Sequence, residues 1–309
     1  MVEPRPPPGG FWPGGPNGGV YMRPGEERLP VTERLHPASA GLEGLPTLRL
    51  LRRLHAGDLE AVLAVSRALP ALAVLADEAA AALASGGRIV YAGAGTSGRL
   101  AALDAAECPP TFGVSPSRVI ALVAGGPAAL RRAVERAEDD GGAGRRAVAR
   151  ARVGKKDVFL SVSASGRTAF ALAALREARA RGARTALLTS NPLARSAAHV
   201  RVVLDTGPER IAGSTRMKAG TAAKMALGLL SSAAFLKTGV VRGGRMAALR
   251  GTSEKLRARA VRNLSALLGL SPGAARRRLA EAGWDMRPLL ATARPEGTRP
   301  AHPKGRRGG

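Results

Sequence analysis

Five short runs rich in β-branched residues, at 88–92, 118–123, 157–162, 185–190 and 200–205, alternate along this chain with longer segments of Ala, Leu and Arg. Strands separated by helical segments pair through crossovers rather than hairpins, so the pattern predicts a parallel sheet wound with helices. The predicted helices cover 99–106, 127–138, 168–181 and 214–237. They are preceded by a helical stretch at 47–84, which Pro70 should divide into two packed helices. Residues 253–268 and 271–293 read as a small helical appendage, with Ser271 as a cap, Pro272 in the first turn and Gly283 at the end. The expected fold is α/β, a doubly wound five-stranded parallel sheet with flanking N-terminal helices and a C-terminal helical appendage.

Composition narrows the possibilities. The chain has 309 residues, 45% hydrophobic but only 3% aromatic, so its core must be built from Ala, Val and Leu. Modules that stack nucleic-acid bases on aromatic rings are disfavoured. A lone Cys108 cannot form an internal disulfide, and no C-x-x-C spacing offers a zinc site. Residues 1–29 are dominated by Pro and Gly and are expected to be disordered, as is the basic tail 296–309. No signal-peptide pattern opens the chain and no stretch approaches about 18 uncharged apolar residues, so a cytoplasmic location without membrane contact is expected. The formal net charge is +25, and residues 242–309, with 16 basic and 4 acidic side chains, carry +12 of it. That excess reads as a solvated basic surface or tail, with anionic partners a second reading and no nucleic-acid partner assigned.

Two loops could do chemistry. Gly93-Ala-Gly-Thr-Ser-Gly98 is a literal G-x-G-x-x-G between a predicted strand and helix, which invites a dinucleotide. That reading also requires an acidic residue at the end of the second strand, and here Leu122-Val-Ala-Gly-Gly126 offers none. The second loop, Ser163-Ala-Ser-Gly-Arg-Thr168, also follows a strand. Paired hydroxyl-bearing loops at the carboxyl edge of a parallel sheet suit a phosphate monoester on a small polar molecule. Helix capping is the alternative use of the same hydroxyls. A third segment, 213–224, opens the long helix with hydroxyls and cations, and spacing alone leaves Lys218 and Lys224 exposed on different faces. Glu107 precedes Cys108-Pro-Pro, which should stop its helix, and Glu138 should end the next helix with Asp139 and Asp140 behind it, against the macrodipole. Spacing alone leaves both glutamates exposed.

The run from Gly93 to Gly113, which includes Ala105-Ala-Glu-Cys-Pro-Pro-Thr-Phe, closely resembles the signature of the N-acetylmuramic acid 6-phosphate etherases of the sugar isomerase (SIS) superfamily, to which the glucokinase regulatory protein is also related. Matching blocks follow at 124–126, 133–140, 163–168, 190–192, 207–209 and 213–221, and the resemblance runs from about Val31 to Ala293. It implies an SIS domain at 30–240, a helical region at 241–295, and a homodimeric lyase of cell-wall amino-sugar recycling that removes D-lactate from the 6-phosphorylated sugar. By matching, Glu107 is the acid/base and Glu138 its partner. Thr96, Ser97, Gly98, Ser163, Ser165, Gly166, Thr168, Ser214 and Lys218 are the implied substrate-binding set. The route requires no metal or redox cofactor. A non-catalytic SIS module that senses a sugar phosphate and regulates a partner is the alternative, and sugar-phosphate isomerisation a third reading. The chain departs from the family's pattern at Leu35 and His36, where Arg and Asn are usual, and at 244–249, which lacks an Asn and an Asp. A lone His beside Pro is expected at the surface.

Overall fold

The computed structural model describes residues 29–291, so all but the last residue of the expected extension at 1–29, and the basic tail at 296–309, lie outside the described residues. In chain order the elements are α1 (Thr47–Ala84), β1 (Ile89–Gly93), α2 (Gly95–Phe112), β2 (Val119–Val123), α3 (Gly141–Arg150), β3 (Val158–Val162), α4 (Ala169–Ala180), β4 (Arg184–Thr189), β5 (Val200–Val203) and α5 (Lys218–Lys237). A short hairpin of β6 (Val241–Arg242) and β7 (Arg245–Met246) leads to α6 (Glu254–Leu268), α7 (Pro272–Glu281) and α8 (Met286–Ala291). The five long strands pair in parallel in the order β2-β1-β3-β4-β5, with Ile89 level with both Val119 and Val158. All five predicted strands are present, within two residues at their ends.

Strand periodicity sends alternate side chains to two cores. Ile89, Tyr91, Leu160 and Leu188 meet α1, α2 and α5 on one face, while Val90, Ala92, Phe159 and Leu187 meet α3 and α4 on the other. With so few aromatics the first core is closed mainly by Ala and Leu, plus one stacked pair, Phe112 on Phe235 at 4.6 Å, which joins α2 to α5. By length and hydropathy α1 and α5 could each cross a membrane. Their apolar sides instead form this core, against each other and the sheet. A third core, around Leu249, Leu264, Leu279 and Met286, belongs to the C-terminal helices. It meets the sheet domain closely at Gly113, where a Cβ would lie 1.6 Å from the Ala248 carbonyl oxygen.

Several helices differ from expectation. The segment 47–84 is one helix through Pro70, because Ala68, Leu72 and Leu75 on either side of the proline are buried in the core. Helix α2 likewise continues through Pro109 and Pro110, because burial of Cys108 and Phe112 outweighs two lost helical hydrogen bonds. No helix covers 127–138. A 3-10 turn at Gly126–Leu130 gives way to an irregular, exposed stretch with Arg136 at φ 60°. The helix forms instead at α3, across glycines that a sequence reading takes as breakers. Asp140 caps it, its carboxylate accepting the Ala143 N–H at 2.7 Å. The acidic run therefore stands at a helix N-terminus, where the dipole favours it, and that hydrogen bond holds the Asp140 carboxyl below its usual range.

Candidate functional site

The strand order places a reversal between β1 and β3: the chain leaves β1 toward β2, then returns across it to β3. Ligands of open α/β sheets bind at such switch points, outside the carboxyl ends of the strands. The loop after β1 and the loop after β3 are the two hydroxyl-bearing loops.

Helix α2 begins immediately after β1, so Thr96, Ser97 and Gly98 lie in its first turn. Gly98 permits this: a Cβ there would lie 2.6 Å from the Gly93 carbonyl oxygen. The N-cap of α2 is Ala94, with no side-chain cap. Thr168 occupies the N-cap position of α4 but does not cap it; its hydroxyl pairs with that of Ser163 at 2.9 Å. The capping use of these hydroxyls therefore fails at Thr96, Ser97 and Thr168. Helix α2 is left without a side-chain cap beside these hydroxyls, the setting that attracts a phosphate, whereas the first turn of α4 already gives its Phe170 N–H to the Glu138 carbonyl. Ser165 accepts the Arg167 N–H, and Gly166, at φ 67°, leaves room for Ala194, which a Cβ would strike at 2.3 Å.

The loops are braced from neighbouring strands. Thr189 donates its hydroxyl to the Ala164 carbonyl at 3.1 Å, and Asn191 donates its amide to the Ser165 carbonyl at 2.9 Å. Between the loops and the start of α5 lies a small recess lined by Ser97, Ala164, Ser190, Thr215 and Gly220. Ser190 and Thr215 were not singled out as binding residues from sequence, because only the fold brings β4 and the α5 approach to the same edge. Ser214, in the turn beside Thr215, is half-buried.

Helix α5 starts at Lys218, not at residue 214. Its N-terminus carries a protein anion: fully buried Glu209 accepts the Lys218 and Ala219 N–H groups, each at 3.0 Å. Burial raises the Glu209 pKa, and those two hydrogen bonds oppose the rise. Lys218 is not exposed, and its ammonium does not join the hydroxyls. It is 2% exposed and forms an ion pair with Glu60 of α1 at 2.5 Å. Lys224 is exposed as expected. His36 is not a surface residue either; its ring lies against Arg210, and burial followed by the Arg210 and Lys218 charges lowers its pKa from 6.5 to about 4.

The two glutamates are both exposed, but they stand differently. Glu138 is beside the second loop: its backbone carbonyl accepts the Phe170 N–H at 2.9 Å, two residues beyond Thr168. Glu107 is on α2, three turns from Thr96, or about 16 Å at the usual helical rise. Within one chain it is therefore not among the loop hydroxyls. Its helix neighbours Asp104 and Cys108 face inward. Asp104 accepts hydrogen bonds from Tyr91 (2.8 Å) and Ser231 (3.0 Å), and burial pushes the Cys108 thiol up to about 12, which removes it as a nucleophile.

Comparison with known proteins separates the readings this geometry allows. The chain is 47% identical over 234 residues to an N-acetylmuramic acid 6-phosphate etherase of Edwardsiella ictaluri, covering 75% of this chain and 78% of the relative. The chain belongs to the N-acetylmuramic acid 6-phosphate etherase family. Etherases of Aeromonas hydrophila (44% identity; 82% of this chain, 85% of the relative) and Deinococcus radiodurans (46%; 84% and 86%) match similarly. The family model for the glucokinase regulatory protein N-terminal SIS domain matches residues 71–179, and the SIS domain model matches 143–233. In this etherase family member the two matches together span the loop after β1, both glutamates and the loop after β3.

Proposed function

We infer that this chain is a carbon–oxygen lyase that cleaves the D-lactyl ether of N-acetylmuramic acid 6-phosphate, giving N-acetylglucosamine 6-phosphate and D-lactate, in cell-wall amino-sugar recycling. The observation that carries the reading is the pair of hydroxyl-bearing loops, with a helix start that no side chain caps, at the β1/β3 switch point of a chain that belongs to the etherase family. Thr96, Ser97, Gly98, Ser163, Ser165, Gly166 and Thr168, with Ser214, Thr215 and Ser190, hold the 6-phosphate.

The chemistry follows from the open-chain sugar. The C1 aldehyde acidifies the C2 proton, a carboxylate removes it, and the C3–O bond breaks as the C2–C3 double bond forms. The departing lactyl oxygen takes a proton from a carboxylic acid. Water then adds its oxygen to C3 and a proton returns to C2, so one water is consumed per ether cleaved. Glu107 serves as principal acid/base and Glu138 as its partner.

Because Glu107 lies about 16 Å along α2 from its own chain's Thr96, the active unit is a homodimer in which Glu107 of one copy reaches the cradle of the other. Exposed Leu48, Leu51, Leu59, Val62 and Leu69 form one stripe along α1, a face of the kind that a second copy covers. The compartment consistent with this substrate is the cytoplasm.

The test is D-lactate release from N-acetylmuramic acid 6-phosphate by wild type, Glu107→Gln, Glu138→Gln and a refolded mixture of the two variants. Each variant alone should lose about 10²-fold or more of the activity. If the glutamates of one site come from different copies, random mixing restores roughly a quarter of wild-type activity, because each mixed dimer keeps one intact site. No restoration overturns the shared site. Binding of the sugar phosphate without release by wild type favours the non-catalytic sensor, to which the glucokinase regulatory protein match also points. A product that keeps its lactyl group favours isomerisation.

A further inference from the structure

Beneath the third wall of the cradle lies an ionic cluster that the reaction above does not use. Glu60, on α1, accepts hydrogen bonds from Arg210 on one carboxylate oxygen and from Lys218, at 2.5 Å, on the other. Both cations are almost wholly buried, at 7% and 2% exposure. Gly57, one turn earlier on α1, leaves the path for the lysine: a Cβ there would meet Lys218 Cδ at 2.9 Å and Cγ at 3.1 Å. Arg210 also contacts the His36 ring, and its carbonyl accepts the Ser39 hydroxyl at 2.6 Å. With Glu209, the cluster has two cations and two carboxylates.

Arg210 and Lys218 bracket residues 211–217, so one carboxylate holds both ends of that segment. The segment carries Ser214 and Thr215, and Thr215 lines the recess with Ser97 and Ser190. Just inside α5, Gly220 brings the helix against the first loop, with its Cβ position 3.2 Å from the Thr215 carbonyl oxygen and 3.4 Å from Thr96 Cγ2. A shift of the Lys218 end therefore moves the Thr215 wall relative to Thr96. Removing the Glu60 charge would leave two buried cations with only Glu209, whose carboxylate is already taken up by the Lys218 and Ala219 backbone N–H groups, and under-paired buried charges rearrange or draw in water.

We propose that Glu60, joined to Arg210 and Lys218, is a positioning residue that sets the Ser214–Thr215 wall against the two hydroxyl loops and so tunes affinity for the phosphate end of the substrate. It touches no substrate atom. The inference rests on the sugar-phosphate reading of the cradle.

The experiment compares wild type, Glu60→Gln, the charge-conserving Glu60→Asp, and Asp157→Asn as a structural control. Asp157 is a buried carboxylate paired with Arg88 at 2.7 Å beside the opposite edge of the sheet. For each, kcat and KM in D-lactate release, the dissociation constant for inorganic phosphate and the urea midpoint are measured. Glu60→Gln should raise KM and weaken phosphate binding by about tenfold or more, with a smaller fall in kcat, and Glu60→Asp should give an intermediate rise. Asp157→Asn should lower the midpoint without moving KM. If Glu60→Gln does not fold, Glu60→Asp decides the matter. An unchanged KM and phosphate affinity in the Glu60 variants, or a change no larger than in Asp157→Asn, overturns the proposal. A wild type that releases no lactate overturns the activity reading instead, and phosphate affinity still tests the role of Glu60.

Discussion

Gly98 shows how little freedom the loop after β1 has. Its Cα side faces the Gly93 carbonyl so closely that a methyl group has no place, and the obstacle is backbone rather than a movable side chain. Gly98→Ala should therefore cost about 1–3 kcal/mol of stability, measured by urea unfolding, and weaken inorganic phosphate binding, because α2 must withdraw from β1. The glutamates should behave in the opposite way. Glu107 and Glu138 are exposed, and neither side chain forms an ion pair among the described residues, so Gln at either position should leave the unfolding midpoint in place. Lactate release should fall by about 10²-fold or more. His36 supplies a pH signature. Its folded pKa of about 4 lies below the unfolded 6.5, so the native state binds fewer protons between those values. The stability tied to neutral His36 is complete above about pH 6.5 and is lost as pH falls toward 4. Replacing His36 by Gln should flatten that part of the stability profile, and an identical profile in the variant would contradict the assignment.

At the scale of elements, α3 and α4 carry the clearest contrast. Gly144 sits against the Phe170 carbonyl, where a Cβ would approach to 2.3 Å, whereas a Cβ at Gly142 would meet side chains rather than backbone, Arg146 Nη1 at 3.0 Å and the capping Asp140 Oδ1 at 3.1 Å. Gly142→Ala should be neutral or stabilising by up to about 1 kcal/mol, from helix propensity. Gly144→Ala should destabilise and, by displacing α4, weaken phosphate binding; paired urea titrations would show whether the two differ in sign. These glycines also explain a failure of sequence reading. Strands were legible because β-branched runs have few other uses, and the two hydroxyl loops because they recur at equivalent strand ends. The helix at 141–150 was hidden because its glycines serve as a contact surface with α4. The prolines of α1 and α2 misled because burial of Leu72 and Leu75, or of Cys108 and Phe112, outweighs a local penalty that sequence displays without its compensation. Lys218 misled for a similar reason: its partner Glu60 is 158 residues away in the chain, and spacing within one helix says nothing about it.

For the whole molecule, the α1 stripe makes the oligomer testable without reference to catalysis. Leu59→Asp places a charge at 58% exposure in the middle of that stripe, so the single chain should tolerate it while a dimer that buries the stripe should not. Light scattering after size exclusion should then report half the mass of wild type. If Glu107 is supplied by the second copy, lactate release should disappear in parallel while each chain still binds phosphate.

The close seam at Gly113 and Ala248 carries one more consequence. Glu107 rides on the last turns of α2, and that end abuts Ala248, in the segment that leads into the C-terminal helices, with no slack between backbones. If Glu107 is the acid, truncating the protein after residue 240 should strip the splint from the arm that holds it while leaving the two hydroxyl loops in place. The shortened enzyme should hold its substrate and turn it over poorly.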